Sequence, residues 1–191
     1  MRAASKRKRE EGGGLRFKVG GSKSEVKTWA LVALGSNLGD ARGNILRAFQ
    51  RLQELSDQPL LRSSLWETAP VDCPPGSAPF INAAVGLAPR PTETAESLLA
   101  KLQAIEKEFG RKPKKLLNEP RPLDLDLIAF GGEIRQRPEL ILPHPRAHLR
   151  RFVLQPLSEI APGLALPGRS ESIVQLLQEL PPDESIKKVE G

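Results

Sequence analysis

Residues 123–132, LDLDLIAFGG, contain the pattern that decides the fold of this chain. Apolar residues from Leu123 to Leu127 alternate with Asp124 and Asp126, as in a strand with one buried face. The pair Gly131-Gly132 then predicts a tight turn, with residues 133–137 returning as the second strand of a hairpin. A strand and hairpin of this kind favour an antiparallel arrangement over a purely parallel one.

Other elements lie on both sides of this segment. The short apolar runs 29–35 (WALVALG) and 80–87 (FINAAVGL) predict two further strands. Apolar residues recur every three or four positions within 45–55, within 92–110 and within 170–180, which predicts three helices. Asp40 or Asn44 is the candidate cap of the first helix. Residues 140–162 are interrupted by prolines and show no single period, so we predict an α+β sheet with helices packed on it.

Length, charge and cysteine content limit the function classes. The chain has 191 residues, enough for one well-buried domain, and it has no apolar run long enough to span a membrane. Its net charge of +6 resides in residues 1–28, which we predict to be a disordered basic tail, while residues 29–191 form a neutral body. Nucleic-acid binding is therefore disfavoured as the main role. The single cysteine, Cys73, favours a reducing, cytoplasmic setting.

The two aspartates of the predicted strand are candidate metal ligands. Side chains two residues apart on a strand share one face and lie about 6 to 7 Å apart at the backbone. Carboxylates at that separation repel each other, and Mg²⁺ relieves the conflict because it prefers hard oxygen ligands together with substrate phosphates. The alternative at this point is a half-exposed strand with Asp124 and Asp126 on its solvated side.

A basic segment precedes these aspartates. Arg111, Lys112, Lys114, Lys115 and Arg121 lie within fifteen residues of them, and fixed cations beside a carboxylate pair suit a polyphosphate substrate. A solvated basic loop is the alternative. The chain has neither a P-loop nor a GxGxxG signature, and the Gly-rich stretch GSNLG at 35–39 favours a structural turn over a phosphate loop.

Five sequence blocks resemble one enzyme family, the 6-hydroxymethyl-7,8-dihydropterin pyrophosphokinases of folate biosynthesis. The resemblance covers about residues 29–180, in the family's order and spacing. Its most specific block is PRPLDLDLIAFGG. The blocks are ALGSNLGD (33–40), FINAAV (80–85), IEKEFGR (105–111), PRPLDLDLIAFGG (120–132) and LPHPRAHLRRFVLQPLSEIAP (142–162).

The resemblance implies a ferredoxin-like α+β sandwich for residues 29–191. It also implies transfer of the β,γ-diphosphate of ATP to the pterin hydroxymethyl oxygen, with release of AMP. We further expect a monomer that acts on small-molecule substrates. Catalysis would rest on Arg111, Arg121, Asp124 and Asp126, with the aspartates holding two Mg²⁺ ions. ATP would contact Gln103, Glu106, Arg111, Arg121, His144 and Arg150. The pterin would contact Thr68, Val71, Phe80, Asn82, Asp126 and Phe152.

One departure from the family pattern concerns the loop before Pro120. Many members carry a basic residue, Trp and Gly where this chain has Leu117, Asn118 and Glu119. Since the tryptophan helps to cap the bound pterin in such members, we expect a weaker lid on an active enzyme. The alternatives are a degenerate homologue that binds pterin or nucleotide without turnover, and a nucleic-acid module that uses the basic tail.

Overall fold

The computed structural model describes residues 28–70, 73–112 and 119–190. The predicted tail, apart from Thr28, therefore lies outside the described residues. The strands are β1 (Ala30–Ser36), β2 (Leu61–Arg62), β3 (Trp66–Thr68), β4 (Phe80–Leu87), β5 (Asp124–Phe130), β6 (Arg135–Arg137), β7 (Leu140–Leu142) and β8 (Lys187–Lys188). The helices are α1 (Ala41–Gln53), α2 (Ala95–Glu108), α3 (Arg151–Ile160) and α4 (Ile173–Glu179), with a 3₁₀ turn at Ala147–Leu149.

A six-stranded antiparallel sheet forms the centre of the fold. Its order is β5-β1-β4-β3-β8, and β2 also pairs with β4. All seven residues of β1 are buried, because β1 lies between two strands and has helices on both faces. This explains why WALVALG is continuously apolar instead of alternating. The predicted α+β fold with an antiparallel sheet is confirmed.

Two helical layers cover the sheet. On one face, α1 and α2 pack their predicted apolar stripes against residues of β1 such as Val32 and Leu34. On the other face, α3 and α4 pack against Leu31 of β1 and Ile128 of β5. Asp40 is the cap of α1, since its side chain accepts a hydrogen bond from Gly43 N–H at 2.9 Å. No helix in the described ranges is both long and apolar enough to cross a membrane.

The predicted hairpin after β5 is wrong. The segment after Gly131-Gly132 does not return along β5; β6 pairs instead with β7 in a separate two-stranded sheet. Gly131 N–H donates to Trp29 O at 2.8 Å, which directs the chain across the end of β1.

Helix α3 lies in a region where the sequence shows no single period. Pro156 lies inside this helix. Because proline is unusual within a helix, it and the nearby prolines make the short apolar stripe of Val153, Leu154 and Leu157 hard to recognise in the sequence. The helix predicted from Thr92 begins only at Ala95, because Thr94 is its cap. The helix predicted within 170–180 is α4, and its buried residues are Ile173 and Leu176.

Candidate active site

A cavity of about 1180 Å³ lies at the end of the sheet where β5 begins and β1 ends. It brings together residues from β3, β4, α2, β5 and α3 that are far apart in the sequence. Val71 lies outside the described residues. The other twelve predicted site residues all line the cavity: Thr68, Phe80, Asn82, Gln103, Glu106, Arg111, Arg121, Asp124, Asp126, His144, Arg150 and Phe152. Their individual roles remain predictions.

The two aspartates share the cavity face of β5. Leu125 and Leu127 are buried in the core beneath α2, so the alternation predicted from LDLDL places Asp124 and Asp126 on the opposite face. Across the sheet, Asp124 is paired with Gly35 of β1, and Gly35 is paired in turn with Asn82 of β4. The acidic pair and the predicted pterin residue Asn82 therefore lie on the same face of the sheet, which forms the floor of the cavity.

Two arginines from the basic segment point into the cavity and pair with Asp124. Arg111 Nη1 lies 2.7 Å from Asp124 Oδ1, and Arg121 Nη1 lies 3.2 Å from Asp124 Oδ2. Asp126 has a longer contact, 3.8 Å to Arg150 Nη1. These arginines are thus not a solvated surface run, and their charges compensate the repulsion between the carboxylates. Lys114, Lys115, Leu117 and Asn118 lie outside the described residues.

Glu106 is the most buried charged residue of the cavity, with 5% of its surface exposed. Its Oε1 accepts a hydrogen bond from Leu125 N–H at 2.7 Å and also pairs with Arg111. Burial raises the pKa of Glu106 to about 7, against the opposing effects of Leu125 N–H and Arg111. Glu106 therefore connects the end of α2 to the strand between the two aspartates and holds Arg111 beside them.

The raised pKa of Glu106 predicts a pH-dependent cost to folding. A carboxyl group with a higher pKa in the folded than in the unfolded state makes the protein less stable as the pH rises through the interval between them. We expect Glu106→Gln to match the wild type near pH 4, below the pKa of the unfolded carboxyl, and to be more stable than the wild type near pH 8, in the absence of metal. Melting temperatures of both proteins across this range test it, and a wild type that is the more stable at pH 8 would contradict it.

The predicted pterin residues form a second group at the same floor. Asn82 Nδ2 donates to Thr68 Oγ1 at 2.8 Å, which fixes the orientation of this buried amide. Phe80 and Phe152 both line the cavity, and each lies beneath an arginine. The Arg121 guanidinium is 5.9 Å from the Phe80 ring centroid, and that of Arg150 is 5.4 Å from the Phe152 centroid. An aromatic ligand there would displace these contacts.

The two histidines have different surroundings. His144 lines the cavity, its Nδ1 accepts from Arg146 N–H at 3.2 Å, and burial lowers its pKa. His148 belongs to the 3₁₀ turn and faces a separate surface groove. In the described part of the chain, no group of three or more His, Cys, Asp or Glu side chains is placed to hold a metal. Among the described residues a metal there would have the carboxylates of Asp124 and Asp126, and Mg²⁺ commonly completes such a set with water and substrate oxygens.

The GSNLG segment has a structural role, as its sequence favours. Ser36 Oγ donates to Pro122 O at 2.6 Å, and Asn37 Oδ1 accepts from Arg121 N–H at 2.9 Å. These bonds fix the chain just before β5 and so place Arg121 and Asp124. Glycine at position 35 also has a packing reason, since a Cβ atom there would lie 3.3 Å from Asn82 Oδ1.

Sequence reasoning missed part of the cavity wall. Lys107, Arg146 and Leu149 line it, and so do five residues that follow α4. The sequence did offer one signal for Gly35. A glycine at the end of an apolar strand often marks a place where backbone or ligand approaches closely. No local pattern in the C-terminal residues indicates that they return to the site.

Comparisons with known proteins agree with this arrangement. The family model described as 7,8-dihydro-6-hydroxymethylpterin-pyrophosphokinase (HPPK) matches residues 31–162. The 2-amino-4-hydroxy-6-hydroxymethyldihydropteridine pyrophosphokinase of Haemophilus influenzae is 37% identical over 160 residues, covering 83% of this chain and 96% of that protein. The enzyme of the same name from Synechocystis is 36% identical over 151 residues, covering 79% of this chain and 75% of that protein.

A solved structure shows the same fold. The HPPK-DHPS of Plasmodium falciparum, solved with pteroate, superposes with a TM-score of 0.64 at 12% identity, covering 84% of this chain. The chain spans only 47% of the length of that structure. With a family model over most of the chain and relatives of nearly equal length, the chain belongs to the 7,8-dihydro-6-hydroxymethylpterin-pyrophosphokinase family.

Proposed function

We propose that this protein transfers the terminal diphosphate of ATP to the hydroxymethyl group of 6-hydroxymethyl-7,8-dihydropterin and releases AMP. Family membership supports the reaction. The observation that carries it in this chain is one cavity in which an acidic pair is flanked by three arginines and adjoins an aromatic and amide group. The acidic pair with its arginines suits a metal-bound triphosphate, and the aromatic and amide group suits a flat heterocycle.

Magnesium fits the residues present. Asp124 and Asp126 offer hard oxygen donors on one face of β5, and Asp126 has only a distant cationic partner among the described residues. We propose that they hold two Mg²⁺ ions together with ATP. When bound, the ions would neutralise phosphate charge in the transition state.

The arginines are proposed to bind and orient the polyphosphate. Arg121 lines the cavity beside Asp124, and its planar guanidinium suits the oxygens of a phosphate group. Arg111 and Arg121 pair with Asp124 in the structure, and their guanidinium groups would also contact phosphate oxygens of ATP. Gln103, Glu106, His144 and Arg150 complete the proposed nucleotide side. Phosphoryl-type transfer then needs mainly positioning and charge stabilisation.

The pterin is proposed to lie between Phe80 and Phe152, with Asn82 reading its polar edge. Two aromatic faces favour a flat ring. Thr68 accepts one of the two Asn82 Nδ2 hydrogens, so that the other N–H donor and the Oδ1 acceptor are left for the pterin edge. Val71 is a proposed backbone contact outside the described residues.

We also propose that the protein acts as a cytoplasmic monomer whose residues 1–28 form a separate tail; the single cysteine and scattered exposed apolar side chains support this.

Release of AMP is the direct test. Purified protein with Mg²⁺, ATP and the dihydropterin should form AMP and pterin diphosphate in equal amounts, and omission of the pterin should abolish AMP formation. ATP with the dihydropterin but without divalent cation is the matched control. Calorimetric binding of both substrates without any AMP would contradict the proposal and identify a binding homologue.

A further inference from the structure

The residues that follow α4 form one wall of the active-site cavity. We name residues 180–186 the C-terminal strap. Most of the strap is exposed to solvent, yet five of its residues line the cavity: Leu180, Pro181, Pro182, Asp183 and Ile186. An exposed segment can serve as a wall only if something fixes its position.

Arg151 fixes the start of the strap. Its Nε donates to Pro181 O at 2.9 Å, and its Nη2 donates to Leu177 O at 3.0 Å and Leu180 O at 2.5 Å. These carbonyl groups lie at the C-terminal end of α4, where a helix leaves its acceptors unpaired and favours a positive charge. Two prolines follow directly, and neither can supply a backbone N–H group.

The β8 strand fixes the other end. It pairs antiparallel with β3, and Val189 N–H donates to Leu65 O at 2.9 Å. Lys188 Nζ also lies 3.0 Å from Glu159 Oε1 of α3. The strap therefore runs from α4 to the edge of the strand that ends at Thr68, a proposed pterin contact.

We propose that Arg151 is a positioning residue for the pterin, because it holds the strap as the wall beside Phe152. Arg151 immediately precedes Phe152 at the first turn of α3, so one short stretch of backbone carries both the aromatic residue and the anchor of the wall. Four of the five lining residues of the strap are apolar, Asp183 being the exception, so that most of this wall offers an apolar surface to a bound ring. This inference rests on the proposed function and adds a residue that positions the pterin.

Substitution of Arg151 provides the test. Arg151→Gln removes the charged fork, and Arg151→Lys keeps the charge but loses the paired donors. We expect the KM for dihydropterin to rise about tenfold in Arg151→Gln and less in Arg151→Lys, while the KM for ATP changes less than about twofold. Ile186→Ala, which leaves the Arg151 hydrogen bonds in place, should also raise only the pterin KM. Arg137→Gln, at an exposed arginine of β6, is the matched control and should behave as wild type.

Hydrogen exchange separates this inference from the proposed reaction. In Arg151→Gln the amides of Ile186 and Val189 should exchange faster, while those of β1 remain protected. Faster exchange with an unchanged pterin KM and calorimetric affinity would overturn the role of the wall, and unchanged exchange would overturn the anchor. Absence of AMP formation by the wild type would refute the reaction, whereas the exchange result would still decide the anchor.

Discussion

Asp126→Asn is expected to reduce AMP formation on the order of a thousandfold while raising the melting temperature of the metal-free protein. The loss of activity follows because a neutral amide is a much weaker ligand for Mg²⁺ than a carboxylate. The gain in stability follows because burial, and then the charge of Asp124, raise the pKa of Asp126. A carboxyl group with a raised pKa costs folding free energy once the pH exceeds its value in the unfolded chain, and asparagine removes that cost.

Thermal unfolding with and without Mg²⁺ and a non-hydrolysable ATP analogue checks both parts. The ligands should stabilise the wild type and should stabilise Asp126→Asn much less. Asp57→Asn is the matched control, since Asp57 makes only a distant surface ion pair, 3.7 Å from Arg90. An Asp126→Asn protein that keeps its activity would remove Asp126 from the proposed metal site, and one that unfolds at a clearly lower temperature would contradict the predicted gain in stability.

The corresponding change at Asp124 should differ in stability. The repulsion argument from sequence treats both aspartates alike, but Asp124 pairs with Arg111 and Arg121 in the structure. Removing its charge leaves two arginines without their shared partner in a partly buried site. Asp124→Asn should therefore lose activity as Asp126→Asn does and lower the melting temperature instead of raising it.

Arg121→Ala is expected to lower kcat about a hundredfold to a thousandfold, with less than about a threefold change in the KM for dihydropterin. The Arg121 side chain lines the cavity and pairs with Asp124, and its main chain is held independently by Asn37. Truncation therefore removes the positive charge of the guanidinium from beside the diphosphate that is transferred. The backbone before β5 stays in place.

Steady-state kinetics with each substrate varied in turn test this expectation. Arg121→Lys should recover only part of the rate, since a lysine cannot contact two phosphate oxygens through a planar fork. Arg42→Ala, at an exposed position of α1, is the control and should match the wild type. A defect confined to the pterin KM would assign Arg121 to stacking on Phe80 instead of to the transfer step.

The sequence predicted the sheet better than its connections. LDLDLIAF and FINAAVGL were identifiable as strands because their apolar patterns are local and are preserved in β5 and β4. The hairpin expected after Gly131 was wrong because a Gly-Gly pair indicates a turn but not the strand with which the following residues pair. Gly131 N–H donates its hydrogen bond to the carbonyl of Trp29, which is distant in sequence. Helix α3 was not predicted because Pro156 and the prolines before it outweigh a short apolar stripe.

The sequence by itself determined which side chains are available and on which face of β5 the two aspartates lie, because a strand has a fixed period of two. Tertiary structure alone decided what those aspartates contact and what surrounds them. Arg111, Arg121 and Arg150 reach them from three separate segments, and Arg151 brings the C-terminal strap to the same cavity. Such contacts depend on the packing of elements distant in sequence, and no local period or propensity encodes that packing.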